Sequence, residues 1–356
     1  MVSKGKGFSL KRGVSSKILM VFTRQFAVMV KAGIPIVRCL EILGEQTQNK
    51  TFREIILKVT RDVETGSNLT DALAKHKGVF DPLYVSMVKA GEAGGVLAQT
   101  LAKVAQYLEK SESLKGKIRS ALAYPVVIFV VAIGATFFLV VFIIPTYAKM
   151  FAGFGAELPL LTRIVMGLSD FIRHYLILLI LALGAILFAL RSYVRTEKGR
   201  LRFDSLKLNL PVLGALVRKT AISRFSRTLS TLTASGVPVL LGLEITATTS
   251  GNKVIENTVL KARESISGGK SIFEPLKDSK VFPPLVTDLV RVGEESGSLG
   301  EMLGKVADFY DDEVDSAVTG LTSMIEPITI VFLGGVIGTL LISMYLPMFQ
   351  MATLIK

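Results

Sequence analysis

Two short glycine-rich segments carry a carboxylate and are the first candidates for chemistry. The sequence GEAGG spans residues 91–95, and GEESG spans residues 293–297. A Gly-Glu-x-x-Gly element is compatible with a phosphate loop, a metal loop or a plain turn. Helical patterns on both sides favour a turn, in which the first glycine ends one helix and the glutamate supports the N-terminus of the next. Such a turn, or the alternative of a partner-docking site, would involve Gly91, Glu92, Gly95, Gly293, Glu294 and Gly297.

The segment GGKS at residues 268–271 resembles the end of a phosphate-binding loop. The first glycine of such a loop would fall where the chain has Glu264, and this carboxylate would repel phosphate. The preceding residues have a helical pattern, whereas the loop requires a buried strand. We therefore expect a glycine helix stop followed by a capping box from Ser271 to Glu274. No nucleotide or other cofactor is predicted to bind this chain.

Catalytic groups are scarce elsewhere in the sequence. The chain has one cysteine, Cys39, and two histidines, His76 and His174. These residues cannot form a cysteine–histidine zinc site. His76 lies in a basic stretch that we expect to be solvated, and His174 lies at the edge of an apolar run. We predict no catalytic residue, no metal centre and no enzymatic activity.

One cluster of acidic residues is a weak candidate for a cation site. Four aspartates occur at i, i+3, i+4 and i+7 and therefore share one side of a helix. Like charges at this spacing reduce helix stability unless a basic group or a cation balances them. A solvated helix face is the simpler interpretation, and docking of a basic partner is the alternative. The four residues are Asp308, Asp311, Asp312 and Asp315.

The composition predicts a membrane protein. Half of the 356 residues are hydrophobic, and three long runs contain no charged residue. Each run is close to, or longer than, the roughly 20 apolar residues that cross a bilayer. The net charge of +13 could suggest nucleic acid, but basic loops on the cytoplasmic side of a membrane account for it. Nucleic-acid binding is therefore not predicted.

Basic residues near the ends of the runs predict the orientation. They are dense before the first run and after the second, and sparse between these two. The positive-inside rule then places the N-terminus in the cytoplasm and the C-terminus outside. The predicted boundaries are a short N-terminal tail (1–16), a first cytoplasmic domain (17–119), a first transmembrane helix (120–148), an external loop (149–173), a second transmembrane helix (174–194), a second cytoplasmic domain (195–325), a third transmembrane helix (326–350) and an external tail (351–356).

The two cytoplasmic segments are copies of one unit. At an offset of 203 residues, AGIP at 32–35 aligns with SGVP at 235–238. After a gap of one residue, at an offset of 202, GEAGG aligns with GEESG. Apolar periodicity predicts about six helices in each copy, and no segment has convincing strand alternation. The predicted fold is all-α, with two tandem helical bundles and three transmembrane helices.

Two helix starts in the first copy have specific signals. Thr51 and Glu54 have the spacing of a capping box, with Thr51 as the N-cap residue. Asp81 is followed by Pro82, a pair that predicts an N-cap and a proline at the first helical position.

The third apolar run has a feature that favours assembly. Gly334 and Gly338 form a Gly-x-x-x-Gly face, and such faces let helices approach closely. We expect this face to pack against another span of the same chain or against a second copy, and we predict a homo-oligomer, dimeric or larger. The spans contain few polar groups, which disfavours a transporter or channel.

Three long segments resemble the type II secretion system F family. Tyr124–Thr162 is similar to the first span and external loop of that family, Gly293–Val318 to its second cytoplasmic domain, and Glu326–Gln350 to its last span. With the tandem domains and three spans, the resemblance covers nearly the whole chain. The segments ADFYDDEVD and MYLPMF are most similar to the PilC-type branch, the inner-membrane core proteins of type IV pilus machines. Many relatives carry an additional N-terminal segment, where this chain has only the short tail.

The resemblance implies a platform in the bacterial inner membrane that is not an enzyme. The cytoplasmic domains would engage a hexameric assembly or retraction ATPase, and the spans would act on pilin subunits that enter or leave the membrane. Other inner-membrane pilus components would be further partners, and the external segments would face the periplasm. The same family also implies an alternative, the equivalent platform of a type II secretion system or a competence pseudopilus. A small membrane transporter is the more distant alternative.

Overall fold

The chain folds into α-helices that form two compact units. The computed structural model describes residues 13–146, 159–211 and 213–354, and this part contains fourteen α-helices and no β-strand. The first unit consists of the chain up to Gly116 together with Lys207–Val314, and the second of Lys117–Leu206 together with Asp315–Lys356. The all-α prediction is confirmed.

The first helical domain belongs to the first unit and encloses an aromatic core. The rings of Phe22 and Phe52 meet edge to face at 5.2 Å, and those of Phe80 and Tyr84 are 5.0 Å apart. The buried hydroxyl of Tyr84 lies 3.2 Å from Thr23 Oγ1, so the phenol has a hydrogen-bond partner. The helices are α1 (Ser16–Lys31), α2 (Ile36–Gln46), α3 (Lys50–Glu64), α4 (Leu69–Ala74), α5 (Pro82–Ala93) and α6 (Leu97–Phe138).

The second helical domain repeats this order. The chain reaches it through α7 (Leu160–Arg195) and α8 (Glu197–Asn209), and continues with α9 (Leu213–Thr233), α10 (Val239–Thr249), α11 (Lys253–Ser267), α12 (Phe273–Asp278), α13 (Pro284–Glu295) and α14 (Leu299–Leu354). Helices α10 and α11 begin and end 203 positions after α2 and α3, and α13 lies 202 positions after α5. Left-handed glycines also repeat, since Gly33 and Gly236 both have a φ of 80°. The turns between the helices are thus duplicated together with the helices.

One predicted helix start is confirmed. Asp81 is the N-cap residue of α5, and its Oδ1 accepts a hydrogen bond from the Tyr84 N–H at 2.8 Å. Pro82 occupies the first helical position, where a missing N–H has no intrahelical partner to lose.

Two predicted caps are wrong. Helix α3 begins one residue before Thr51, because Asn49 caps it by accepting from the Phe52 N–H at 2.9 Å. Asparagine is among the best N-cap residues, so the helix starts at the earlier cap. Ser271 forms no capping box with the glutamate three residues on. Its hydroxyl accepts from the Phe273 N–H at 3.0 Å, while α12 starts at Phe273 itself.

Three helical segments are long and apolar enough to cross a membrane. They cover Leu97–Thr146, Leu160–Arg195 and Leu299–Leu346. Of the residues predicted as an external loop, 149–173, residues 160–173 form the first part of α7, and positions 149–158 lie outside the described residues. The tail predicted at 351–356 is helical as far as Leu354, where the description ends.

Polar side chains join the apolar helices of the second unit. The first span contains a π-helical stretch, Leu139–Ile143, which disturbs the regular i to i−4 bonding. Ser169 of α7 donates to the Val140 carbonyl in this stretch at 2.5 Å. Thr162 of α7 donates to the Ser343 carbonyl of α14 at 2.6 Å. Helix α7 is therefore hydrogen-bonded to both other helices, through donors that hydrocarbon could not satisfy.

Substitution of a buried glycine tests how closely the last two helices of each domain approach. An added methyl group at Gly293 would lie 2.8 Å from the Leu299 Cα, a backbone atom that cannot move aside. We expect Gly293→Ala to lower the free energy of unfolding by about 1–3 kcal/mol, the usual cost of overpacking. The measurement is thermal or chemical unfolding of the purified full-length chain in detergent.

Gly116 provides the matched control. It lies in α6 with no atom within 4 Å of an added methyl group. Gly116→Ala should be neutral or stabilise by up to about 1 kcal/mol, because alanine is the better helix former. Equal unfolding of the Gly293→Ala variant and the native chain would contradict the close approach.

Candidate functional site

The Gly-Glu-x-x-Gly segments form turns at equivalent places in the two domains. Gly91 lies inside α5 and Gly293 inside α13, so the prediction that these glycines end their helices is wrong. Both are buried, and the absent side chain leaves room for the helix that follows. The left-handed conformation belongs instead to the last glycine of each segment, with φ of 67° at Gly95 and 69° at Gly297.

The glutamate of the first segment caps a short helix. Glu92 Oε1 accepts from the Leu69 N–H at 2.8 Å, and Oε2 accepts from the Thr70 N–H at 3.1 Å and from the Thr70 hydroxyl at 2.6 Å. These donors stand at the N-terminus of α4, a helix of six residues. The prediction that Glu92 supports the following helix is therefore wrong, since it supports the preceding short one.

The second domain repeats this cap. Glu294 accepts from the Ile272 N–H at 3.0 Å and from the Ser271 hydroxyl at 2.5 Å, next to the start of α12. Ile272 is the equivalent of Leu69 at the offset of 203. In both domains the carboxylate is committed to hydrogen bonds within its own domain. A carboxylate that accepts backbone N–H groups at a helix N-terminus is stabilised there by the helix dipole.

The GGKS segment is a helix stop, as predicted. Helix α11 ends at Ser267, Gly269 has a φ of 74°, and the Lys270 N–H donates to the Ser265 carbonyl at 2.9 Å. A phosphate loop would require a strand before it, and α11 occupies that place.

The four aspartates of α14, which we call the acidic stripe, are paired mainly with basic residues of the same chain. Asp311 accepts from Arg227 at 2.6 Å and from the Ser223 hydroxyl at 2.5 Å. Asp308 pairs with the same arginine at 2.7 Å. Asp315 pairs with Lys117 in the second unit. In the described residues, no group of three or more Asp, Glu, His or Cys side chains is arranged to hold a metal ion.

The sequence-based reading missed Arg227, although the repeat carries a signal for it. Arg24 in α1 pairs with Glu109 in α6 at 3.2 Å, and Arg227 in α9 pairs with Asp311 in α14 at 2.6 Å. The two arginines are 203 positions apart and the two acids 202, as the aligned copies require. Each copy therefore has an arginine at one aligned position and an acidic residue at the other. This repetition indicates, from the sequence alone, that the two positions are in contact.

The two helical domains are in direct contact within the first unit. Lys103 of α6 donates to the Ala234 carbonyl at 2.6 Å, and the hydroxyls of Tyr107 and Thr228 are 3.2 Å apart. Leu232 and Ile245 of the second domain belong to the buried apolar cluster of the first. The contact is thus an apolar patch with polar groups beside it, built from α5 and α6 on one side and α9 and α10 on the other.

Comparison with known proteins assigns the chain to a family. The family model for protein F of the type II secretion system matches residues 22–145 and again 225–347. The chain belongs to the type II secretion system protein F family. The two matches coincide with the two copies of domain and span, so the family model describes the unit that is repeated in this chain.

Individual relatives match nearly the full length of the chain. "Type IV pilus assembly protein PilC" of Myxococcus xanthus is 45% identical over 97% of this chain and 82% of its own length. The protein with the same description from Pseudomonas aeruginosa is 39% identical over 98% and 95%. "Type II secretion system protein F" of Pseudomonas aeruginosa is 31% identical over 99% and 87%.

A polar cleft of about 320 Å³ lies between the two domains of this F-family protein. Asp81 and Glu112 line it with Lys115 and Arg224, so acidic and basic groups balance in number. Burial raises the pKa of Asp81, and the N–H of Tyr84 opposes this shift. No histidine or cysteine is among the described residues that line the cleft.

The groups needed for nucleophilic catalysis stay apart in the described structure of this F-family protein. Burial lowers the pKa of His76, with Lys58 adding to the effect, so its imidazole is neutral near pH 7. His174 is exposed on α7. Cys39 is fully buried, and burial raises the pKa of its thiol. Within the described residues these three side chains make no hydrogen bond to one another, and no nucleophile–base pair is assembled.

The glycine face of the last span has no partner within the described part of the chain. A methyl group added at Gly334 or Gly338 would meet no atom within 4 Å. Among the described residues, no other span of the same chain therefore packs against Gly334 or Gly338, which was one of the two predicted uses of this face. Packing against a second copy stays a prediction.

Removal of the Glu294 carboxylate tests the cap of α12. Glu294→Ala leaves the Ile272 N–H and the Ser271 hydroxyl without their acceptor, so we expect a loss of about 1–3 kcal/mol in the free energy of unfolding. Glu295→Ala is the control, because Glu295 is the exposed neighbour. Thermal unfolding of the full chain in detergent measures both. Equal effects of the two substitutions would contradict the cap.

The acidic stripe offers a similar comparison. Asp311→Ala should destabilise by about 1–3 kcal/mol, since Arg227 and Ser223 lose a half-buried charged partner. Asp312 is exposed and makes no hydrogen bond or ion pair with the described residues, so Asp312→Ala should change stability by less than about 0.5 kcal/mol. The melting temperatures of the two variants check this difference, and a larger loss for Asp312→Ala would contradict it.

Proposed function

We propose that this chain is the inner-membrane platform protein of a type IV pilus assembly machine. The observation that carries the proposal is the similarity to relatives described as type IV pilus assembly proteins over nearly the whole chain. In Pseudomonas aeruginosa, where both kinds of relative occur, the identity is 39% to the pilus protein and 31% to the secretion protein. A platform in a type II secretion system or a competence pseudopilus is the second candidate, supported by the family model itself.

The proposed orientation places both helical domains in the cytoplasm. Lysines and arginines cluster in α6 ahead of the first span and in the segment that follows α7. Such clusters stay on the cytoplasmic side of a bacterial membrane. The N-terminus is then cytoplasmic, and the C-terminus and the segment ahead of α7 are periplasmic. This arrangement presents the two domains to a soluble partner.

Energy would come from a cytoplasmic ATPase. The one segment that resembles a nucleotide-binding loop, at 268–271, is a helix stop between two helices. Helices α6 and α14 each begin in a helical domain and continue into a candidate span, so each joins an ATPase-facing domain to the membrane without a loop. A displacement of the domain by the ATPase would reach the span along this helix.

Pilin subunits would contact the exposed apolar faces of the spans. Helix α7 presents large apolar side chains along its length, among them Ile177, Leu181 and Phe188. These side chains suit lipid or another apolar helix, and they offer no polar path for a solute. The proposal therefore has the spans act on membrane-embedded helices and not on dissolved molecules.

Gene deletion distinguishes a platform that serves a pilus from one that serves a secretion system. Deletion of this gene should abolish surface pili and twitching motility while secreted enzymes stay at native levels, and the intact gene should restore both. Electron microscopy of the cell surface, motility assays and enzyme assays of the medium give the three readings. Normal pili with lost secretion would overturn the proposal in favour of the secretion platform.

Crosslinking in cells tests the partners directly. A photo-crosslinking amino acid at Leu57, exposed on α3, should capture the ATPase, and the same group at Ile177 on α7 should capture pilin. The two positions act as controls for each other, because the proposal puts them in different compartments. Capture of a periplasmic protein at Leu57 would contradict the orientation.

A further inference from the structure

The two helical domains meet through different faces. The first domain uses α5 and α6, where Leu83 is 1% exposed and Tyr107 meets Thr228. The second domain uses α9 and α10, which supply Leu232 and Ile245 to the apolar cluster of the first. Since the domains are copies, this is a head-to-tail contact. It leaves the α13 and α14 face of the second domain, and the α1 and α2 face of the first, without the equivalent partner.

The free face of the second domain is apolar. Leu285 and Phe309 stand at the positions of Leu83 and Tyr107, 202 residues further on. Both are 46% exposed, and Val292 on the same side of α13 is 47% exposed. Large apolar side chains gathered on one exposed face mark an interaction surface. We call Leu285, Val292 and Phe309 the second-domain face.

The free face of the first domain matches the surface that the second domain uses. Leu232, Val237 and Ile245 are each no more than 5% exposed in the internal contact. Their equivalents at the offset of 203 are only partly buried, and Val21 and Gln25 next to them are exposed. We call this set the first-domain face: Val21, Gln25, Met29, Ile34 and Ile42.

We propose that the second-domain face of one chain binds the first-domain face of a second copy, in the same head-to-tail manner as the internal contact. The occupant is a second copy because that copy carries the complementary surface, derived from the same ancestral contact. The proposal does not depend on whether the platform serves a pilus or a secretion system.

The charges at the two faces are complementary. In the internal contact, Lys110 and Arg227 line one small cavity of about 200 Å³, and both of these positive groups pair with Asp308, at 3.9 Å and 2.7 Å. Their equivalents on the free faces are Asp312 and Arg24, which have opposite charges, and Arg24 also pairs with Glu109 of its own domain at 3.2 Å. Asp312 is exposed without a partner in the described residues, so a basic group on a second copy would answer it. Charge complementarity of this kind selects one partner over others.

One hydrogen bond of the internal contact, from Lys103, has an equivalent that could form between two copies. Lys103 donates to the Ala234 carbonyl in the internal contact at 2.6 Å. Its equivalent, Lys305, is exposed, and the position of Ala234 is taken by Lys31, whose carbonyl offers the same acceptor. A head-to-tail contact closes into a ring when its rotation allows. Because all copies cross the membrane in the same direction, the axis of that ring lies along the membrane normal.

Cysteine crosslinking between two tagged full-length chains in one membrane tests the contact. One chain carries Gln25→Cys and the other Phe309→Cys. Cys39 stays in place, because it is fully buried and the raised pKa of its thiol slows its reaction. A short bismaleimide reagent should give a product that bears both tags. The matched control replaces Gln25→Cys by Leu57→Cys, an exposed position on α3 that belongs to neither face, and should give none.

Absence of the Gln25–Phe309 product, or a dominant product that joins two Phe309→Cys chains, would overturn the proposal. A second measurement covers the case of unreactive positions. Energy transfer between labelled chains in lipid nanodiscs or vesicles should report a dimer whose Kd rises by about tenfold or more in Phe309→Asp, as for loss of a central aromatic side chain. Leu57→Asp should leave the Kd unchanged. An unchanged Kd in both Phe309→Asp and Leu285→Asp would overturn the proposal.

Discussion

The cap that one glutamate provides for a short helix is the interaction on which each domain depends. A helix of six residues is too short to be stable alone, and its first N–H groups need acceptors. Glu92 and Glu294 supply them from α5 and α13, while the buried glycine one residue earlier lets the next helix pack closely. The cap and the close approach together fix three consecutive helices. On the side of the first domain, the contact between the domains is built on the second and third of these helices, α5 and α6, so it depends on the turn that contains Glu92.

Duplication gave two domains of equal fold and unequal surface. The first domain has Leu83 and Tyr107 where the second has Leu285 and Phe309. The side chains are similar in size and apolar character, yet Leu83 is buried and Tyr107 half-buried, whereas Leu285 and Phe309 are each 46% exposed. Apolar residues at such exposed positions indicate that these positions contact an apolar partner. Apolar exposure is costly for a soluble surface, so a partner is the physical explanation that fits both pairs.

The sequence predicted the features that are encoded over short range or by repetition. The Asp81 cap, the glycine stop at 268–269, the duplicated domains and the three apolar helices all follow from local patterns. The partners of Glu92 lie more than twenty positions earlier in the chain, and the partner of Asp311 lies in α9, so neither pair could be found by spacing along one helix. Helix α7 begins ahead of the predicted span because a helix can continue through charged residues such as Arg163 and Asp170 once it leaves the apolar layer. Counting uncharged residues finds the apolar part of such a helix and misses the remainder.

The polar groups of the second unit favour a platform over a transporter. Ser169 and Thr162 are buried, and each donates to a backbone carbonyl of a neighbouring helix. Polar side chains used in this way hold helices together, whereas a solute pathway requires polar or ionisable groups that face a cavity. The hydroxyl of Ser169 donates to a carbonyl of the π-helical stretch. The backbone hydrogen bonding is irregular there, so this carbonyl needs an additional partner. The spans thus satisfy their polar groups internally and leave apolar side chains outward, a surface suited to other membrane helices. Work done on such helices has to enter through the helical domains, which is why the proposed energy source is a soluble partner and not a site in this chain.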